Sequence, residues 1–139
     1  MALALHRAPD QAARAAVRRL TLIDFRGYAS LRLEIDAPPV VLTGPNGAGK
    51  TNLLEAISFL APGRGLRRAR LSDVDRVGAG PWSVMVRVGS ARGAVEIRTA
   101  HLRASERARR SVQIDGGDVD SQAALAETLS VVWLTPAMD

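Results

Sequence analysis

A chain of 139 residues has room for one domain with a modest core, and a hydrophobic share of 47% is ordinary for a globular protein and excludes a disordered one. The absence of cysteine excludes disulfides and thiolate metal sites, and the two histidines, His6 and His101, cannot form a metal cluster alone. A formal charge of +5 favours polyanionic partners, and no apolar run approaches the roughly 18 to 20 residues of a membrane helix. A cytoplasmic protein without a membrane partner is expected.

Residues 1–18 are rich in Ala and Arg, carry Asp10 as their one acid and are interrupted by Pro9. Their composition overlaps with that of transit peptides, but the same bias runs through the whole chain, so a flexible N-terminal extension is expected. Leu20 to Phe25 predicts a strand, Phe25 to Tyr28 a turn, and Leu31 to Ile35 alternates with period two, so the two runs predict a hairpin. Pro38-Pro39 closes that unit, and Val40-Val41-Leu42 predicts a short strand buried on both faces. From Lys50 the pattern turns helical, with Leu53, Leu54, Ile57 and Leu60 along the expected apolar face, until Pro62-Gly63 stops it. A short helix is expected over 72–77, strands over 82–88, 94–99 and 111–114, turns at Gly89-Ser90 and Asp115-Gly116-Gly117, and a helix over 122–129. Val131 to Leu134 closes the readable part as a buried strand. Trp82 and Trp133 are expected in the core, and His101 on the surface.

The segment joining the third apolar run to the first helix is Gly44-Pro45-Asn46-Gly47-Ala48-Gly49-Lys50-Thr51, which matches the phosphate-binding pattern G-x-x-x-x-G-K-[ST] at every specified position. Glycines allow consecutive backbone N–H groups to converge on phosphate oxygens, and the following helix directs its positive end there. Lys50 is the chain's single lysine; the other 18 cations are all arginine, so an ammonium is retained where a planar guanidinium would not serve. Lys50 is expected to reach the β- and γ-phosphates of ATP, and Thr51 to complete the shell of a nucleotide-bound Mg²⁺. An ordinary Gly-rich turn accounts for neither the Lys-Thr pair nor the flanking strand and helix.

The loop continues as Thr51-Asn52-Leu53-Leu54-Glu55-Ala56-Ile57, which resembles the corresponding stretch of the RecF family and, more loosely, of ATPases similar to the ABC type. Three further stretches agree with it: Leu22 to Tyr28, Pro62 to Arg68, and Val132 to Asp139. The resemblance covers about residues 19–139. It implies an α/β P-loop NTPase fold, an ABC-ATPase-like head similar to those of SMC and Rad50 proteins, with a β-hairpin and a mixed sheet around the P-loop helix. It also implies an ATP-binding DNA replication and repair protein. Such a protein binds DNA at single-strand/double-strand junctions or gaps, helps load recombinase together with mediator proteins, and forms an ATP-dependent homodimer with slow DNA-dependent ATPase activity.

The pattern of that family is incomplete here. No run of four apolar residues ends in Asp-Glu, as a Walker B motif would, and no signature motif is present. Residues 19–139 are therefore expected to be the N-terminal part of such a head, binding ATP without hydrolysing it. A small GTPase is a competing reading, since Asp75-Arg76-Val77-Gly78 matches a D-x-x-G element, but no guanine-reading N-K-x-D motif exists because Lys50 is the one lysine.

Arg64, Arg67, Arg68 and Arg70 form a basic cluster after the P-loop helix and resemble the arginine-bearing loop with which related heads contact DNA, while a solvated charged face is the plainer reading. A second cluster, Arg103, Arg107, Arg109 and Arg110, contains Glu106 and is expected to be such a face. Arg26 stands where related heads place a basic residue near the nucleotide phosphates, and Tyr28 is a candidate for the nucleoside side. Turn surface is the plainer reading for both.

Overall fold

The computed structural model describes residues 15–36, 39–104 and 107–134. The expected extension lies outside it up to residue 14, as do Pro38, the closing stretch from Thr135 and the side chains of Arg103 and Arg107. In chain order the elements are β1 (Ala16–Phe25), β2 (Tyr28–Glu34), α1 (Lys50–Ser58), α2 (Leu71–Val74), β3 (Ser83–Ser90), β4 (Gly93–Ala104), β5 (Arg107–Ile114), β6 (Gly117–Asp118) and α3 (Ala123–Thr128). The strands make a six-stranded sheet in the order β2-β1-β3-β4-β5-β6.

Every described pairing in the sheet is antiparallel, where a mixed sheet was expected. The difference traces to Val40-Val41-Leu42 and Val131 to Leu134, which join no strand. A strand needs a neighbour for its N–H and C=O groups, and neither run pairs with a described strand, although Val131 packs partly buried against the core. Val40 and Val41 are accordingly 59% and 82% exposed, Val132 and Leu134 89% and 87%.

The first hairpin forms as its alternation predicts, with Leu20 opposite Leu33 and Phe25 opposite Tyr28. Leu20 and Leu22 of β1 and Val84, Val86 and Val88 of β3 put their period-two apolar faces into the core, joined by Ile97 of β4 and Val112 of β5. The β3–β4 turn falls two residues later than expected, at Ala91-Arg92, because Ser90 Oγ accepts from the Arg92 amide and donates to Gly93 O.

Helix α1 packs on this face, turned from the expected orientation. Ala56, Phe59 and Leu60 are buried, and Leu53 and Ile57 pack partly buried against the core as expected, but Leu54 is half-exposed and Glu55 takes an inward place instead. The aromatic residues dictate the rotation. Phe59, Phe25 and Trp82 form a buried trio with ring centroids 4.9 to 6.0 Å apart, two of the three contacts edge-to-face, and Trp82 donates its indole N–H to Leu71 O at 3.0 Å.

Two polar residues expected on the surface lie inside. His101 is buried, its Nδ1 2.8 Å from Asp75 Oδ1, because its position in β4 brings it beneath Trp82, whose carbonyl accepts the His101 amide. Arg110 of β5, expected in a solvated face, turns inward under the end of α1. There it donates to the carbonyls of Phe59, Ala61 and Gly63, to Gln122 Oε1 and to Thr99 Oγ1. Its neighbour Arg109 is exposed, as expected of the cluster.

Candidate nucleotide-binding site

The loop from Gly44 to Gly49 depends on its glycines. Gly44, Gly47 and Gly49 have φ of +147°, +87° and +95°, conformations that side-chain-bearing residues rarely adopt, and the Ala48 amide closes the turn on Pro45 O at 3.2 Å. Gly49 is also sterically required, since a Cβ there would lie 2.4 Å from the Tyr28 hydroxyl. Pro45, Asn46 and Ala48 fill the intervening positions and are exposed.

Lys50 begins α1 and folds back across the loop, donating Nζ to Gly44 O at 2.5 Å and Pro45 O at 2.8 Å. Its ammonium is thereby held against the carbonyls of the loop. The helix is capped by Gly49, which has no side chain to bind the first-turn N–H groups, and that turn contains no acid. Positive potential and open donors therefore coincide at one helix terminus, the arrangement that suits an anion. Thr51 is exposed one residue further on, its hydroxyl bonded to no described group. The residues present thus fit a nucleotide's phosphates and a metal ion held between them.

Behind the loop lies a feature the sequence did not disclose. Glu55 is completely buried on α1 and is bound by Arg26 through Nε and Nη2 at 2.9 and 2.7 Å, with Arg67 Nη1 at 3.4 Å. Arg26 gives its remaining nitrogen to Asp73 O at 2.7 Å, so every nitrogen of the guanidinium expected near the phosphates is bonded to a protein group. Tyr28 stands against the loop and donates to Gly49 O at 3.3 Å. An acid on the inward stripe of an amphipathic helix, in a chain with an arginine turn nearby, was the signal available for Glu55.

The first basic cluster is exposed throughout, but its members differ. Arg67 also reaches Asn52 Oδ1 at 3.3 Å and so touches the first turn of α1, whereas Arg64, Arg68 and Arg70 make no side-chain bonds among the described residues. The loop carrying them is pinned by Ser58, whose hydroxyl accepts from the Leu66 amide and donates to Glu55 O, both at 2.6 Å. The D-x-x-G element sits elsewhere, with Asp75 buried against His101 and Arg76 bound to Asp24 at 2.9 Å.

Among the described residues no group of His, Asp or Glu could hold a metal ion alone, and no helix is long and apolar enough to cross a membrane. Burial pushes the Arg110 guanidinium down to about 10, still far above neutrality, so it is charged at physiological pH.

Comparison with known proteins agrees with this geometry. A family model described as AAA domain matches residues 19–124. A DNA replication and repair protein RecF of Allorhizobium ampelinum is 52% identical over 124 residues, 88% of this chain and 33% of that protein. One of Rhizobium meliloti is 52% identical over 122 residues, 87% of this chain and 33% of its own length. The chain thus spans about a third of the length of the curated relatives it matches. Among solved structures, the recombination mediator protein RecF with ATP superimposes with a TM-score of 0.71 at 23% identity, over 80% of this chain and 30% of the other. The SMC head domain from Thermotoga maritima gives 0.63 at 17% identity, over 82% and 42%. The fold is that of the RecF and SMC ATPase heads. The chain belongs to the AAA domain family, and its homologues at about half identity are RecF proteins.

Proposed function

We propose that this chain is the phosphate-binding portion of a RecF-type DNA replication and repair protein, which binds ATP and acts on DNA in recombinational repair. The observation that carries the reading is the Gly44–Thr51 loop, with three glycines at positive φ, Lys50 folded across it and an uncapped helix start behind it. In this reading the amides of residues 44–49 and the Lys50 ammonium would hold the β- and γ-phosphates, and the Thr51 hydroxyl would hold the nucleotide's Mg²⁺. Such a metal would neutralise phosphate charge.

The exposed Arg64, Arg67, Arg68 and Arg70 supply phosphate contacts to DNA, at single-strand/double-strand junctions or gaps, and the homologues' name supports DNA as the partner. The association of a RecF structure with the RecFOR pathway supports a role alongside mediator proteins in loading recombinase. A homodimer closed around two nucleotides would bring the second half of each ATPase site. Without a Walker B or signature motif among its 139 residues, this chain binds ATP but does not turn it over alone.

The test is Lys50→Ala. Several charge-assisted contacts of roughly 1.5–3 kcal/mol each depend on that ammonium, so Mg-ATP binding measured by calorimetry should become undetectable. Lys50→Arg should weaken it as well, because the wider guanidinium does not fit a site shaped for an ammonium. Equal affinity in Lys50→Ala and the parent chain would sink the reading.

A further inference from the structure

The turn between β1 and β2 touches the P-loop helix at three levels. At the C-terminal end Phe25 packs edge-on against Phe59, centroid to centroid 6.0 Å. In the middle Arg26 grips both oxygens of Glu55. At the N-terminal end the Tyr28 hydroxyl meets Gly49 O, and its ring atoms fill the space a side chain at Gly49 would need. The turn is itself held, since Arg26 has a φ of +53° and donates its amide to Val74 O at 2.8 Å.

The chemistry of the Arg26–Glu55 pair favours a holding role over ligand contact. A carboxylate removed from water is tolerated only when matched by charge and hydrogen bonds, and Arg26 provides the planar two-point match. All three of its nitrogens are committed, two to Glu55 and one to Asp73 O, and its side chain is only 20% exposed. To reach a phosphate it would have to abandon a fully buried anion.

We propose that Arg26 and Tyr28 are positioning residues for phosphate binding. Arg26 acts through Glu55 to lock α1 in the rotation that the aromatic packing sets, and Tyr28 acts on Gly49 to set the loop. Neither touches the nucleotide. This rests on the reading of residues 44–51 as an ATP site, and it replaces the direct phosphate contact that resemblance alone suggests for Arg26. The physical requirement is orientation: amides displaced by about 1 Å from the phosphate oxygens lose affinity steeply although none has been removed.

The experiment is a double-mutant cycle on Mg-ATP affinity with Arg26→Ala and Glu55→Gln, read by calorimetry at a temperature where circular dichroism shows each variant folded. Each single change is expected to raise Kd about tenfold, and the double variant by the same factor instead of about a hundredfold, since both break one device. Arg26→Lys should behave like Arg26→Ala, because a point charge cannot bridge both carboxylate oxygens and a carbonyl. A loss that multiplies in the double variant, or affinity retained by Arg26→Lys, would make Arg26 a direct phosphate ligand and overturn the proposal. An unchanged Kd with only a lowered unfolding midpoint would reduce the pair to a stabilising role and overturn it too.

Tyr28→Phe removes one hydroxyl, leaves the ring, and covers the case in which the charge variants do not fold. A Kd raised about threefold with an unchanged midpoint is expected, and parental affinity would overturn the assignment of Tyr28. Lys50→Ala measured alongside keeps the two readings apart: if it binds ATP like the parent, the nucleotide site itself is misassigned, whatever the turn variants do.

Discussion

Removing the Arg110 donors should destabilise the chain by about 2 to 4 kcal/mol without touching the phosphate loop. The guanidinium lies under the C-terminal end of α1, where backbone carbonyls lack helical partners, and it donates to Phe59 O, Ala61 O and Gly63 O. It also holds Gln122 at 3.1 Å and Thr99 at 2.7 Å and stacks 5.3 Å from the centre of the Phe59 ring. All these acceptors are uncharged. Each well-formed bond to a charged donor contributes roughly 1.5–3 kcal/mol, and a cation at a helix C-terminus adds up to about 2 kcal/mol. Against this stands the cost of withdrawing the charge from water, several kcal/mol and visible in the drop of its ionisation to about 10. Arg110→Met keeps the apolar stem over Phe59 and deletes the donors, so the net figure applies to it. Arg110→Lys restores the charge but cannot serve five acceptors and should recover about half. Urea unfolding followed by far-ultraviolet circular dichroism gives the comparison, with a midpoint shift at constant slope expected. If Arg110→Met unfolds within about 0.5 kcal/mol of the parent, the carbonyls are satisfied by water and the reasoning fails.

Three further outcomes follow from the same structure. Gly49→Ala places a methyl 2.4 Å from the Tyr28 hydroxyl at a φ of +95°, so it should cost about 1 to 3 kcal/mol in unfolding experiments and remove Mg-ATP binding; parental affinity would show the loop to be more pliable than its packing implies. His101→Ala removes a buried ring beside Trp82 and the imidazole partner of the buried Asp75, and should lower stability by about 2 to 4 kcal/mol; a change below about 0.5 kcal/mol would show that the site collapses without cost. Arg67→Ala with Arg68→Ala should weaken DNA binding alike for all sequences and reduce the salt slope by about 0.9 for each lost contact on duplex; an unchanged slope across several salt concentrations would assign the cluster to a solvated face.

What could be read in advance was whatever depends on local rules. The Gly44–Thr51 loop is specified by consecutive residues, and each glycine has the backbone its position required. The first hairpin follows from period-two alternation, and the strand-like runs 82–88, 94–99 and 111–114 mark β3 and parts of β4 and β5, whose extension through residues 100–104 and 107–110 was not anticipated. Long-range pairing was not legible. Val40 to Leu42 has the composition of a buried strand, but a strand is a property of two segments, and the sequence of one says nothing about whether the other is at hand. The same holds for Arg110 and Glu55, whose charge argues for solvent until partners 29 to 51 residues away are in place. The face of α1 was misjudged for a related reason: counting leucines gave weight to Leu54, whereas the aromatic trio decided the rotation.

The strand order has a consequence for how the chain acquires its structure. All hydrogen-bonded neighbours in the described sheet are consecutive in sequence except β1 and β3. The pairs β1–β2, β3–β4, β4–β5 and β5–β6 can each zip from a short turn, with the small closure entropy of local hairpins. Joining β1 to β3 closes the one long excursion, and that excursion carries the whole of the phosphate loop, α1 and the basic loop. Two locally formed strand blocks are therefore expected to meet last, across the Leu20–Val86 and Leu22–Val84 pairs, in the event that encloses α1. Substitutions at that seam should slow folding, whereas substitutions in the loop should leave the folding rate nearly untouched and act on the unfolding rate.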